Sequence, residues 1–237
     1  MEIKILDEQK INEIITKRIC ALIKEKPNLV LGLATGSTPL GVYKNLIKKY
    51  KNKKVSFKDV TTFNLDEYVG LDDTHNQSYR YFMNTNLFNH IDIKKENTFF
   101  PNNKTNNPET YDEKIKDLGG IDFQILGIGS NGHIAFNEPN TDFNSLTHIV
   151  ELTESTIKDN SRFFNNINEV PIKAVSMGLK SIMNAKEIVL IALGKNKATA
   201  IAKLLKEEPN TNLPASILKN HKNITIYCDE AAASLID

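Results

Sequence analysis

Apolar residues recur at helical spacing from Asp7 to Ile23, with Ile11, Ile14, Ile15, Ile19, Leu22 and Ile23 in register and Asp7 suited to the N-cap. Pro27 and Asn28 end that helix, and the unbroken apolar run Leu29–Ala34 predicts a short buried strand. The alternation then repeats. A helix is predicted over Gly41–Tyr50, a strand over Val60–Leu65 and a helix over Ser78–His90. Asn107–Leu118 reads as a helix, Ile121–Leu126 as a strand and Ser155–Asn165 as a helix. Lys173–Met177 and Glu187–Leu193 read as strands, Asn196–Glu207 as a helix and Ile224–Cys228 as the last strand. The Asn-rich stretch from Asn97 to Asn107, with Pro101, reads as a surface loop. Strands that are apolar throughout and separated by helices imply a mainly parallel sheet covered on both faces. The expected fold class is α/β, a three-layer Rossmann-like fold with helices on either side of the central sheet.

Apolar segments continue evenly to the end, and no Pro/Gly/Ser-rich linker or charge block divides them, so residues 1–237 are expected to form a single domain. Thirty basic against 29 acidic residues leave a net charge of +1, which gives no electrostatic reason to invoke nucleic acid or an anionic membrane. The densest basic run, Lys48 to Lys54, reads as the solvated end of a helix, where cations complement the dipole. Cys20 and Cys228 lack metal or redox spacing and are expected to be buried free thiols. The N-terminus has no secretory pattern and no apolar run approaches membrane-spanning length, so the expected location is the cytoplasm.

In open parallel sheets, ligands bind at the carboxyl ends of the strands. Three such junctions carry chemistry. Leu33-Ala34-Thr35-Gly36-Ser37-Thr38-Pro39 joins a strand to a helix. It reads either as an anion site of backbone N–H groups and hydroxyls or as an ordinary capped helix start, with Ser or Thr as cap. The second junction carries adjacent carboxylates, Asp66 and Glu67; one is a candidate general base, and the alternative is that both are solvated or cap the next helix. The third, Leu126 to Pro139, has three glycines, an Asn131-Gly132 turn, His133 and Glu138. A histidine orientated by a carboxylate moves protons near neutral pH, and a hydrogen-bonded structural histidine is the alternative. Lys197, after the strand ending at Leu193, and Arg162 are cations suited to a phosphate, or else plain surface charges.

Together these strings resemble the glucosamine-6-phosphate deaminase family. The matching segments are Leu33–Pro39, Phe63–Leu71, Gly127–Pro139, Asn160–Phe164 and Leu193–Ala198, in the family's order over essentially the whole chain. The resemblance implies conversion of glucosamine 6-phosphate and water to fructose 6-phosphate and ammonia, with no cofactor and no metal. It implies that His133 opens the sugar ring with Asn131 and Glu138 in support. Asp66 would move the C2 proton to C1 through an enolamine, and the C2 imine would hydrate and release ammonia. Thr35, Gly36, Ser37, Thr38, Arg162 and Lys197 would bind the phosphate, and a mobile lid at about residues 152–172 would carry Arg162.

Two departures from the family's pattern matter. Some members have Asp where this chain has Asn131, so Glu138 would carry more of the charge stabilisation of His133. Allosteric hexameric members have basic residues after the Asn-Glu-Pro motif, whereas Ser145–Glu151 contains no Lys or Arg, and the chain stops at Asp237 without their C-terminal extension. The expectation is a monomer or small homo-oligomer without allosteric activation. Two rivals stay open: a 6-phosphogluconolactonase-like hydrolase, which shares the broader fold and a Gly-His loop, and a non-catalytic sugar-phosphate sensor.

Overall fold

The computed structural model describes residues 1–104, 106–161, 164 and 166–236, with the backbone alone at 155, 159 and 160. The first half of the chain runs β1 (Glu2–Ile5), α1 (Glu8–Glu25), β2 (Val30–Leu33), α2 (Leu40–Lys51), β3 (Thr61–Asn64), β4 (Asp66–Tyr68), α3 (Tyr79–Asn86), β5 (Thr98–Phe99), α4 (Thr110–Asp117) and β6 (Phe123–Leu126). The second half adds β7 (His148–Glu151), α5 (Glu154–Ser161), β8 (Lys173–Ser176), α6 (Leu179–Met183), β9 (Ile188–Ala192), α7 (Ala198–Lys206) and β10 (Ile224–Cys228).

Seven strands form one sheet in the order β1-β10-β9-β6-β2-β3-β5, and every pairing in it is parallel. Every residue of β2, β6 and β9 is buried, as strands covered on both faces require. From β2 the chain moves outward to β3 and β5, whereas β6, β9 and β10 lie on the other side. The strand order therefore reverses between β2 and β6, the place where a crevice opens at the carboxyl ends. Helix α1 starts at Asp7, which accepts a hydrogen bond from the Lys10 N–H as expected of an N-cap. The basic run Lys48–Lys54 begins in the last turn of α2.

Several expectations need correction. Strands β1, β4, β5 and β7 were not legible as strands, and β5 lies inside the stretch read as a loop. That stretch also holds Asn103, whose amide donates to the carbonyls of Tyr68 and Leu71. Lys173–Ser176 is a strand, but it belongs to a second, three-stranded antiparallel sheet, β4-β8-β7. Cys228 is buried, whereas Cys20 is only half-buried, and both are free thiols. The main core fills the large sheet and its helices, and a smaller cluster of Tyr68, Phe136, Leu152 and Ala174 sits at the small sheet. Among the described residues, no helix is long and apolar enough to cross a membrane.

Candidate active site

A cavity of about 400 Å³ opens at the β2–β6 switch point, lined by Thr35, Gly36, Ser37, Thr38, Asp66, His133 and Lys197 among others. Three loaded junctions thus converge on one space. Asn131 and Glu138 do not line it; they stand behind His133. Arg162 and Phe163 lie outside the described residues.

The loop after β2 turns at Gly36, whose φ of 83° favours glycine. Sequence allowed a Ser or Thr cap for α2. The N-cap is instead Pro39, which makes no side-chain cap bond, so the hydroxyls here are not spent on capping the helix. Beneath the loop, the buried Tyr43 hydroxyl donates to the Ala34 carbonyl at 2.5 Å and anchors the strand end. Lys197 reaches the cavity from the turn after β9. That turn is shaped by Gly194, φ 87°, whose N–H donates to both carboxylate oxygens of Asp229.

Asp66 and Glu67 have opposite fates. The chain leaves β3 and enters β4, where successive side chains alternate in direction. Glu67 is turned toward α3, and its carboxylate accepts from the N–H groups of Tyr68, Tyr79 and Arg80, each at 2.9 Å. It thus helps Ser78, the N-cap residue of α3, to cap that helix, as one of the alternatives from sequence had it. Asp66 faces the cavity and is 7% exposed. Burial, and then the charge of Glu67, push its carboxyl up to about 8.

The loop after β6 is a tight turn, with the Gly132 N–H bonded to the Gly129 carbonyl and the Gly129 N–H to the His133 carbonyl. Gly129 is required by close approach, because a Cβ there would lie 2.4 Å from the His133 ring. Asn131 bridges the group. Its amide nitrogen donates to Glu138 Oε2 at 2.6 Å, and its oxygen accepts the His133 backbone N–H at 3.1 Å. His133 Nδ1 is 3.5 Å from the same Oε2, within ion-pair range but long for a hydrogen bond. Burial alone would raise the Glu138 carboxyl. His133, together with the donors Thr156 and Asn131, outweighs burial and holds it down at about 2. Ala135 keeps a positive φ of 51° on this loop, a conformation unusual for a residue with a side chain.

Sequence reading missed Thr153 and Thr156, whose hydroxyls reach Glu138 from the start of α5. Their spacing signals only a helix start, and the partner lies far along the chain. It also missed the aromatic wall of Tyr68, Tyr79, Phe136 and Phe164, which packs ring against ring beside the cavity.

Residues 8–227 match the family model described as glucosamine-6-phosphate isomerases/6-phosphogluconolactonase. A glucosamine-6-phosphate deaminase of Thermoanaerobacter sp. strain X514 is 56% identical over 232 residues, covering 96% of this chain and 90% of that protein. Another, of Mycoplasma mycoides subsp. mycoides SC, is 55% identical over 229 residues and covers 96% and 94%. Among solved structures, a monomeric glucosamine-6-phosphate deaminase is 43% identical, with a TM-score of 0.95 and coverage of 99% and 100%. A 6-phosphogluconolactonase from Thermotoga maritima has a TM-score of 0.75 at 22% identity, covering 96% and 98%, which is a likeness of fold.

Proposed function

The chain belongs to the family of glucosamine-6-phosphate isomerases and 6-phosphogluconolactonases, and from that premise we propose that it converts glucosamine 6-phosphate and water to fructose 6-phosphate and ammonia. The observation that carries this reading is the meeting of a hydroxyl-rich anion loop, a buried carboxyl and a carboxylate-backed histidine on one cavity. Deaminase relatives at 55–56% identity over nearly the full chain support it.

The roles follow from the environments. The loop Thr35–Thr38 and Lys197 bind the 6-phosphate. Arg162 joins them on the strength of the family resemblance. Their binding energy positions the other end of the sugar. His133, paired through Nδ1 with an ionised Glu138, uses its remaining ring nitrogen to exchange a proton with the ring oxygen and open the pyranose. Asn131 holds both partners. Asp66 takes the C2 proton and delivers one to C1, and the resulting imine hydrates and loses ammonia.

The raised Asp66 carboxyl fits a cationic substrate. In the free protein at neutral pH, Asp66 is mostly protonated and cannot act as a base. An ammonium at C2 beside it favours the carboxylate. Binding of the amino sugar therefore ionises its own base, and a neutral lactone offers no such charge.

The chain 1–237 works as one unit in which residues 152–172 act as a lid, in the cytoplasm, as a monomer without allosteric activation. The relative solved as a monomer and the lack of Lys or Arg in residues 145–151 support the last point. Sigmoidal kinetics relieved by N-acetylglucosamine 6-phosphate would contradict it.

The decisive measurement is ammonia release from glucosamine 6-phosphate by the purified protein. Lactone hydrolysis in its place would overturn the reading. Asp66→Asn should abolish release while leaving phosphate binding intact, and near-normal turnover by that variant would remove the base assignment.

A further inference from the structure

Glu138 is oriented from two sides. Its Oε2 faces Asn131 and His133, from its own loop. Its Oε1 is held from another part of the chain. The Thr156 hydroxyl donates to it in a short hydrogen bond, and Thr153 Oγ1 lies 3.4 Å away. Thr156 is 5% exposed and Glu138 is 7% exposed, so neither end of this bond is exchanged freely for water. An ionised carboxylate only accepts, so the single hydroxyl proton of Thr156 is committed to Glu138. The Thr156 oxygen then accepts in turn from the Thr153 hydroxyl, 3.1 Å away, giving a chain Thr153 to Thr156 to Glu138. Thr153 Oγ1 also accepts the Thr156 N–H at 3.3 Å, as an N-cap does, which ties the chain to the first turn of α5.

We infer that Thr156 is a positioning residue: it fixes the Glu138 carboxylate so that Oε2 is presented to His133, and it makes the docking of α5 a condition for an oriented acid–base pair. Thr156 also lines the cavity, so the same turn both closes the wall and sets the pair. The packing around it agrees. Leu152 belongs to the small aromatic cluster with Tyr68 and Phe136, and Ile157 and Phe164 pack on that cluster, so the start of α5 has its own apolar seat. Lifting α5 off that seat removes the Oε1 partners and leaves Glu138 held through Asn131 and His133 alone.

This inference rests on the deaminase reading for its kinetic arm, and a spectroscopic arm is independent of it. The variants are Thr156→Val, Thr156→Ala and Thr156→Ser. A hydrogen bond to a charged group is worth about a factor of ten or more, so Thr156→Val should lower kcat for glucosamine 6-phosphate roughly tenfold and leave KM within about twofold. Thr156→Ser, which restores the donor, should recover most of the rate. In parallel, the infrared carboxylate stretch of Glu138, assigned by difference against Glu138→Gln, should move in Thr156→Val and return in Thr156→Ser. If Thr156→Val does not fold, Thr156→Ala carries the same expectations. Wild-type kcat together with an unmoved carboxylate band in the variant lacking the hydroxyl overturns the inference. So does an equal loss in Thr156→Ser, which would make the role one of shape alone. A wild-type protein that releases no ammonia would defeat the deaminase reading, and the infrared result would still decide the positioning.

Discussion

Replacing Asp66 with Asn should make the protein more stable while removing its base. The reasoning is a linkage between ionisation and folding. Burial beside Glu67 raises the carboxyl from its ordinary 3.8 to about 8. Below 3.8 the side chain is protonated in both folded and unfolded chains, and there is no penalty. As pH rises the unfolded chain ionises first, and the folded state loses stability until the folded carboxyl also ionises near 8. At ~1.36 kcal/mol per unit, the roughly three units between the ordinary value and pH 7 correspond to about 4 kcal/mol. This is an upper figure, because the cavity is open and water relieves part of the cost, and because an amide must still be buried in the same place. A gain of about 2 kcal/mol raises the melting temperature by roughly 4–8 °C for a domain of this length.

The assay is thermal unfolding of wild type and Asp66→Asn across pH 5 to 8.5. The variant should melt higher at pH 8, and the gap should shrink steadily toward pH 5. A variant that melts at or below wild type at pH 8, or a gap that stays constant with pH, refutes the account of Asp66 as a carboxyl held neutral by burial. Such a result would also remove the argument that the substrate ammonium ionises the base.

Three further outcomes follow from the same geometry. The kcat/KM of the wild type should climb with pH through about 8, since the protonated free enzyme must lose the Asp66 proton on the way to the productive complex; a flat profile from pH 6 to 9 would contradict this. Gly129→Ala should push a methyl into the His133 ring and cost about 100-fold in kcat, the scale of an ångström of misplacement. Unchanged turnover would show that the ring does not act from its present position. Lys197→Ala should raise KM by about tenfold and lower kcat less, because it removes a point charge from the remote phosphate; steady-state kinetics would expose the opposite split.

The large sheet was legible because its strands obey one rule. Val30–Leu33, Phe123–Leu126 and Ile188–Ala192 are buried on both faces and therefore almost wholly apolar, with Gln124 the one polar residue in them. The strands that escaped are short, exposed or polar. Glu2–Ile5 is partly exposed at the sheet's edge, and Thr98–Phe99 is two residues long. His148–Glu151 alternates with a period that four residues barely reveal. The second sheet was therefore invisible, and with it the reason for the chemistry at Asp66-Glu67. Sequence placed two carboxylates at a strand end and offered one of them as a base, or both as solvated or helix-capping acids. The antiparallel strand β4 resolves the pair by alternation, sending Glu67 to the N–H groups of α3 and Asp66 into the cavity. The cap and the candidate base are then physically linked: burial raises the Glu67 carboxyl, the N–H groups it accepts from offset part of that rise, and its charge is one of the two causes that raise Asp66. Thr156 and Glu138 repeat the lesson beside His133. Glu138 stood out beside His133 but Thr156 looks ordinary in its own segment, and their relation exists only after β7 and β8 bring the start of α5 back beside the loop that follows β6.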